Sequence, residues 1–132
     1  MKKVDCILLV DDNEADNEFH RRAILAAGVC NNIVITPSGT KALEYLVLLD
    51  NTKPRPDIIF LDINMPGMNG FEFLEEYKQL DPSLQGKIVV FMLTSSRGTG
   101  DLEKAGQSGT VSDFLNKPLT AATVTEIIAK YF

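Results

Sequence analysis

Ile58-Ile59-Phe60-Leu61-Asp62-Ile63-Asn64-Met65-Pro66-Gly67-Met68-Asn69-Gly70 is the stretch that decides the fold. Four consecutive apolar residues, followed at once by turn formers, read as a short strand buried on both faces. The run ends on a carboxylate and passes into a Pro/Gly turn, the position at which open parallel sheets carry their chemistry. A second apolar run, Ile7 to Val10, also ends on acids, Asp11 and Asp12. A weaker third, Phe114-Leu115, ends at Lys117. If these strands are parallel, three charged strand ends converge on one pocket.

Further out, β-branched or apolar runs recur at Cys6 to Val10, Ile33 to Ile35, Ile58 to Leu61, Ile88 to Leu93 and Val111 to Leu115, with helical periodicity between them. In the first helix Phe19, Ala23 and Ala26 share a face, and Gly28 supplies a stop. Ser38 caps the second, where Ala42, Leu46 and Leu49 line up before the connection from Asp50 to Pro56. Asn69 or Gly70 opens the third, with Phe73, Tyr77 and Leu80 on one side and Asp81-Pro82 closing it. A fourth, around Leu102, Ala105 and Gln107, is short and glycine-flanked, and each glycine lowers helix stability by up to roughly 1 kcal/mol. Thr120 caps the fifth, with Val124, Ile127, Ile128 and Tyr131 inward. Strand and helix alternating five times imply a parallel sheet covered on both faces by right-handed crossovers.

The chain has 132 residues, enough for one domain with a real core and too few for two ordinary ones. A single domain over residues 1–132, with no output domain, is therefore expected. Apolar residues at 45% and charged residues at 23% place it among ordinary globular proteins, and no stretch calls for a membrane. The apolar run after Met1-Lys2-Lys3 stops at Asp11, short of the roughly 7 to 15 residues of a signal-peptide core, so a cytoplasmic location is expected. Net charge is −5 and no basic block exceeds two residues, which argues against direct nucleic-acid binding. Cys6 and Cys30 lack CxxC spacing and read as plain buried thiols.

Asp11, Asp12 and Asp62 at one edge would repel one another. A like-charge pair about 4 Å apart costs on the order of 4 kcal/mol at an effective dielectric of about 20. Such a cluster calls for a cation, and an all-oxygen set suits a hard ion that keeps several waters, with Mg²⁺ the best fit. The plainer reading is that Asp11 and Asp12 cap the first helix. A cap explains one acid; it does not explain three strand-end charges of matched position. Lys117, a strand-end lysine beside acids, is either a structural ion pair or an anion contact, and Pro118 restricts its backbone to an extended form and permits a cis bond. Thr94 ends another strand, where its hydroxyl can donate to a phosphoryl oxygen or cap a helix. His20, the only histidine, reads as a solvated position in mid-helix, and Phe71, Phe73 and Tyr77 as core packing or partner surface.

Asp11-Asp12, the Asp62 run through Gly70, Thr94-Ser95 and Phe114-Leu115-x-Lys117-Pro118 together resemble the receiver domain of two-component response regulators, in its stand-alone, chemotaxis-regulator-like form. The resemblance covers essentially the whole chain. It implies an α/β, flavodoxin-like (βα)5 fold: a doubly wound, parallel five-stranded sheet of strand order 2-1-3-4-5. It implies that Asp62 accepts a phosphoryl group, that Asp12, Asp62 and the Asn64 carbonyl ligate Mg²⁺, with Mn²⁺ as an alternative, and that Asp11 holds a metal-bound water. Lys117 and Thr94 would contact phosphoryl oxygens. Thr94 and Phe114 would form a switch, in which Phe114, lacking the commoner tyrosine's hydroxyl, acts through packing alone. Ser96 lies where the family tunes phosphoryl lifetime, and the connection from Asp50 to Pro56 resembles receivers paired with phytochrome-like kinases.

The implied function is a signalling protein, not an enzyme beyond its own phosphorylation and autodephosphorylation, with no cofactor besides the metal. A sensor histidine kinase or phosphotransfer protein would be the donor, and phosphorylation-dependent contact with a target, or a dimer, the output. An aspartate-nucleophile phosphatase is the enzymatic rival, but that class wants Asp-x-Asp where this chain has Asp62-Ile63-Asn64. A flavodoxin would need a phosphate loop where Asp11 and Asp12 stand. A receiver-like docking module that is never phosphorylated keeps the fold without the chemistry.

Overall fold

The computed structural model describes residues 3–48, 55–63, 65–80, 89–94 and 111–132, with backbone alone for 89–94, 111–114 and 116. The helix expected around Leu102 to Gln107, the glycine-rich loop from Arg97, Ser96, Leu49, the Asp81-Pro82 stop and most of the connection from Asp50 to Pro56 lie outside the described residues. So does Asn64.

Five strands, β1 (Val4–Val10), β2 (Cys30–Thr36), β3 (Ile58–Asp62), β4 (Val89–Thr94) and β5 (Val111–Asn116), form one parallel sheet in the order β2-β1-β3-β4-β5. The parallel sheet is the one expected from the alternating pattern, and its order is the flavodoxin-like one implied by the resemblance to receiver domains. The described helices are α1 (Glu14–Ala27), α2 (Gly39–Val47), α3 (Gly70–Lys78) and α4 (Ala121–Tyr131). Their ends follow local chemistry. Ser38 and Thr120 accept from the amides of Lys41 and Thr123, and α1 stops at Gly28 in the left-handed conformation. At α3, Asn69 accepts from the Glu72 amide while the Glu72 carboxylate accepts from the Asn69 amide, a reciprocal capping box.

Strand alternation divides the core in two. Ile7, Leu9, Ile58 and Phe60 pack with Ile24, Val124, Ile127 and Ile128 beneath α1 and α4. Leu8, Val10, Ile59 and Leu61 pack with Ala42, Leu46, Phe73, Leu74 and Tyr77 beneath α2 and α3. Because β1 and β3 are buried on both faces, each large side chain in them contributes roughly 1.5–3 kcal/mol of burial. The same period of two puts Asp11 and Asp62, the residues following Val10 and Leu61, toward the α1 and α4 side.

Two expectations for α1 are corrected. Phe19 is 53% exposed and Ala26 is exposed; the buried positions are Asn17, His20 and Ile24. His20 is 1% exposed, so it is not a solvated helix residue. The apolar stripe misled because the first half of α1 lies against the polar edge of the sheet, where Asn17 Nδ2 donates to the Asp11 carbonyl at 2.8 Å. A hydrogen-bonding side chain there satisfies a buried backbone group that phenylalanine could not. Strand β2 also runs past Ile33 to Ile35 in both directions, since its pairing with β1 extends from Val4 and Cys30 to Val10 and Thr36. Both cysteines are free: Cys6 is buried, its thiol pushed up to about 12 chiefly by burial, and Cys30 is half-buried. Among the described residues, no helix is long and apolar enough to cross a membrane.

Removing one arm of the capping box isolates its contribution. Asn69→Ala is expected to lower unfolding free energy by about 1 kcal/mol, while Glu76→Ala on the exposed face of α3 stays within about 0.5 kcal/mol. Urea denaturation of the three proteins checks this.

Candidate functional site

Strands β1 and β3 are hydrogen-bonded neighbours in register, Val10 opposite Leu61, so the acids that follow them emerge side by side. One carboxylate oxygen from each of Asp11, Asp12 and Asp62 lies within 4.8 Å of the others. Asp11 and Asp62 are buried, and Asp12 is exposed to solvent. At the far side of the sheet β5 delivers Lys117, whose Nζ donates to Asp11 Oδ2 at 2.8 Å and to Asp16 Oδ2 at 2.8 Å, and lies 3.5 Å from Asp62 Oδ1. The Lys117-Pro118 peptide is cis, one of the two geometries the sequence permits there.

Asp11 is fixed from several sides. Its Oδ1 accepts from the Asn13 amide at 3.0 Å, its backbone amide donates to the Thr36 carbonyl at 3.2 Å, and its carbonyl accepts from Asn17. Thr36 in turn donates its hydroxyl to the Leu9 carbonyl, tying the end of β2 to β1. The cap of α1 is Asn13, whose side chain accepts from the Asp16 amide. The plain reading of Asp11 and Asp12 as the helix cap therefore fails: neither is the capping residue.

Burial on its own would push the Lys117 ammonium's pKa down. The hydrogen bonds to Asp11 and Asp16 and the charges of Asp11 and Asp62 more than offset it, and hold the pKa above its ordinary value. The lysine is thus charged throughout the physiological range. Even so, three carboxylates, Asp11, Asp16 and Asp62, gather round one ammonium with Asp12 beside two of them, and an all-oxygen cluster with surplus negative charge can hold a hard divalent cation.

Of the residues singled out in the sequence, Asp11, Asp12, Asp62 and Lys117 are brought together. Thr94 ends β4 one residue beyond the Asp62–Leu93 pair and opposite Asn116, which puts its backbone at the same edge. Phe114 lies in β5 opposite Met92. The side chains of Thr94 and Phe114, with Asn64, are outside the described residues. Sequence reasoning missed Asp16 and Asn17, and placed His20 in solvent. Asp16 lies in the first turn of α1, where an acid reads as ordinary complementarity to the helix dipole.

The chain matches the family described as the response regulator receiver domain over residues 7–129, and it belongs to that family. It is therefore a signalling module of the two-component class. The response regulator Rcp1 of Synechocystis is 34% identical over 98 residues, which cover 73% of this chain and 65% of Rcp1, so the chain spans less than two thirds of that relative's length. A solved structure of Rcp1 in its Mn²⁺-bound form is 28% identical, with a TM-score of 0.71 and coverage of 96% and 91%. A two-component response regulator from Cytophaga hutchinsonii is 34% identical with a TM-score of 0.88, covering 98% of this chain and 97% of that one. The phosphorylated cyanobacterial phytochrome response regulator RcpA is 30% identical with a TM-score of 0.74, covering 98% and 91%.

Beside the site, burial and then the Lys117 charge lower the His20 pKa from its ordinary 6.5, against the opposite pull of Asp11 and Asp16. With the folded value below the unfolded one, the unfolded state binds more protons as pH falls, so this contribution is complete above the unfolded value near 6.5 and is lost through acid pH. His20→Gln is expected to flatten the fall in stability between about pH 7 and 5 relative to wild type, as read from chemical denaturation at each pH.

Proposed function

We propose that this protein is a stand-alone response regulator whose Asp62 accepts a phosphoryl group, in a Mg²⁺-dependent reaction, from a sensor histidine kinase or phosphotransfer protein in the cytoplasm. One observation carries the reading: Asp62 stands at the end of β3 with the carboxylates of Asp11 and Asp12 within 4.8 Å and the Lys117 ammonium 3.5 Å from its Oδ1. That is a nucleophilic carboxylate beside both a cation-binding acid set and a fixed positive charge, which is what phosphoryl transfer requires of a protein. The family match and the phosphorylated state of RcpA support it. So does the Mn²⁺ held by Rcp1.

Asp12, Asp62 and the Asn64 carbonyl would hold Mg²⁺, or Mn²⁺, and Asp11 a water on it; the bound ion would neutralise the oxygens of the group in transfer. A carboxylate oxygen of Asp62 forms a bond to phosphorus in line with the donor's phosphorus–nitrogen bond, which breaks and leaves its electron pair on the donor. Asp11 stays oriented by Lys117 and the Asn13 amide, and exposed Asp12 marks the solvent side of the pocket. Lys117 balances charge on one phosphoryl oxygen, and Thr94 donates its hydroxyl to another. The protein does no chemistry beyond its own phosphorylation and dephosphorylation. Residues 1–132 act as one receiver unit, and the output is contact with a protein target or a second copy, without nucleic acid or membrane.

The new charge and acceptor oxygens at Asp62 draw Thr94 toward them, and Phe114 gains by turning into the volume vacated. The surface around β5 and α4 then changes shape, and a partner that prefers the new shape shifts the equilibrium.

Incubation with a small phosphoryl donor and Mg²⁺ should add one phosphoryl group by intact-mass spectrometry, and Asp62→Asn should abolish it, because an amide supplies no anionic nucleophile. Unchanged labelling of the variant would defeat the assignment. For the switch, Thr94→Ala should keep labelling at Asp62 yet lose most of the change in self-association or partner affinity that beryllofluoride produces in wild type. Sedimentation with and without beryllofluoride reads this, and equal shifts in both proteins would show that the threonine does not couple site to surface.

A further inference from the structure

The Lys117 ammonium has three donors, and two are committed, at 2.8 Å each, to Asp11 and Asp16. Its distance to Asp62 Oδ1 is the longest of the three, 3.5 Å. The two close carboxylates are not equivalent. The Asp11 side chain is 3% exposed and also accepts from the Asn13 amide, so parting it from Lys117 would strand a buried charge. The Asp16 side chain is 38% exposed on the first turn of α1, where water can replace the ammonium. Resting on the reading of Asp62 as acceptor, we propose that Asp16 is a positioning residue that holds Lys117 back from Asp62 in the unmodified protein and so sets how readily the site takes up an anionic phosphoryl group.

Once phosphoryl oxygens are present at Asp62, the ammonium exchanges Asp16 for one of them and keeps Asp11. No proton moves in this exchange; one charge-assisted hydrogen bond replaces another. Asp16 therefore competes with the phosphoryl group for the position of one ammonium, and Asp11 is the pivot on which the lysine turns. Competition from a partly exposed carboxylate is modest, because solvent screens it and hydrates it on release.

Calorimetric titration with beryllofluoride in saturating Mg²⁺ tests this in wild type, Asp16→Ala, Lys117→Ala and the double variant. Asp16→Ala is expected to bind about three- to tenfold tighter than wild type. In the Lys117→Ala background the same change should alter affinity by less than about twofold, since Asp16 acts through the ammonium. Unchanged or weaker binding by Asp16→Ala overturns the proposal and leaves the acceptor reading standing. An equal gain without Lys117 also overturns it, as a general charge effect. If wild type fails to bind beryllofluoride, the acceptor reading falls and the proposal with it. A readout free of both ligands covers the case in which Lys117→Ala does not fold. The ¹⁵N resonance of the Lys117 ammonium in metal-free protein should move in Asp16→Ala, and an unmoved resonance overturns the contact on which the proposal stands.

Discussion

The ion pairs of Lys117 are the constraint on which the rest depends. A lysine from the end of β5 reaches acids from the ends of β1 and β3 and from the first turn of α1, so four separate segments must arrive in register for one ammonium to be neutralised. Half-buried charges of this kind are costly when broken: losing one partner leaves the other uncompensated in a medium of low polarity. Lys117 is therefore better regarded as a fastener of the sheet's charged edge than as a source of net stability, since its desolvation offsets much of what its partners contribute.

The scaffold that holds this edge is rigid because β1 and β3 sit in the middle of the sheet with apolar layers on both faces. A slip of one residue in either strand would exchange the two layers and turn Asp11 or Asp62 toward α2 and α3, away from Lys117. Register thus fixes chemistry. The turn after β3 is closed by the Gly70 amide donating to the Ile63 carbonyl at 2.9 Å, and Gly67 at φ +81 follows Pro66 in the pairing that a tight turn needs. The bond from Gly70 to Ile63 ties the start of α3 to the residue that follows Asp62.

Much of this was legible in the sequence. Five apolar runs, three of them ending on charge, marked the strands, Ser38, Asn69 and Thr120 marked helix starts, and the strand order followed from the resemblance to receiver domains. What failed was the inner face of α1. Apolar periodicity selected Phe19, Ala23 and Ala26, whereas the fold buries Asn17 and His20, because polar groups pay their way at a polar edge and periodicity weighs only hydrophobicity. Asp16 was passed over for a related reason. An acid in a first helical turn is ordinary complementarity to the helix dipole, and its second role exists only once β5 brings Lys117 across two strands. Long-range contacts of that kind have no local signature.

Carboxylate exceeds ammonium at this edge of the sheet, and a divalent cation such as Mg²⁺ would offset the surplus. An ion that binds only the folded state should raise the melting temperature, by about 1.4 kcal/mol or a few degrees at tenfold its dissociation constant, and the rise should shrink in Asp12→Ala. The measurement is thermal unfolding of both proteins at neutral pH across a Mg²⁺ series. A rise in wild type that Asp12→Ala largely loses is the expected result; melting curves indifferent to Mg²⁺ in both proteins would contradict a cation site at Asp11, Asp12 and Asp62.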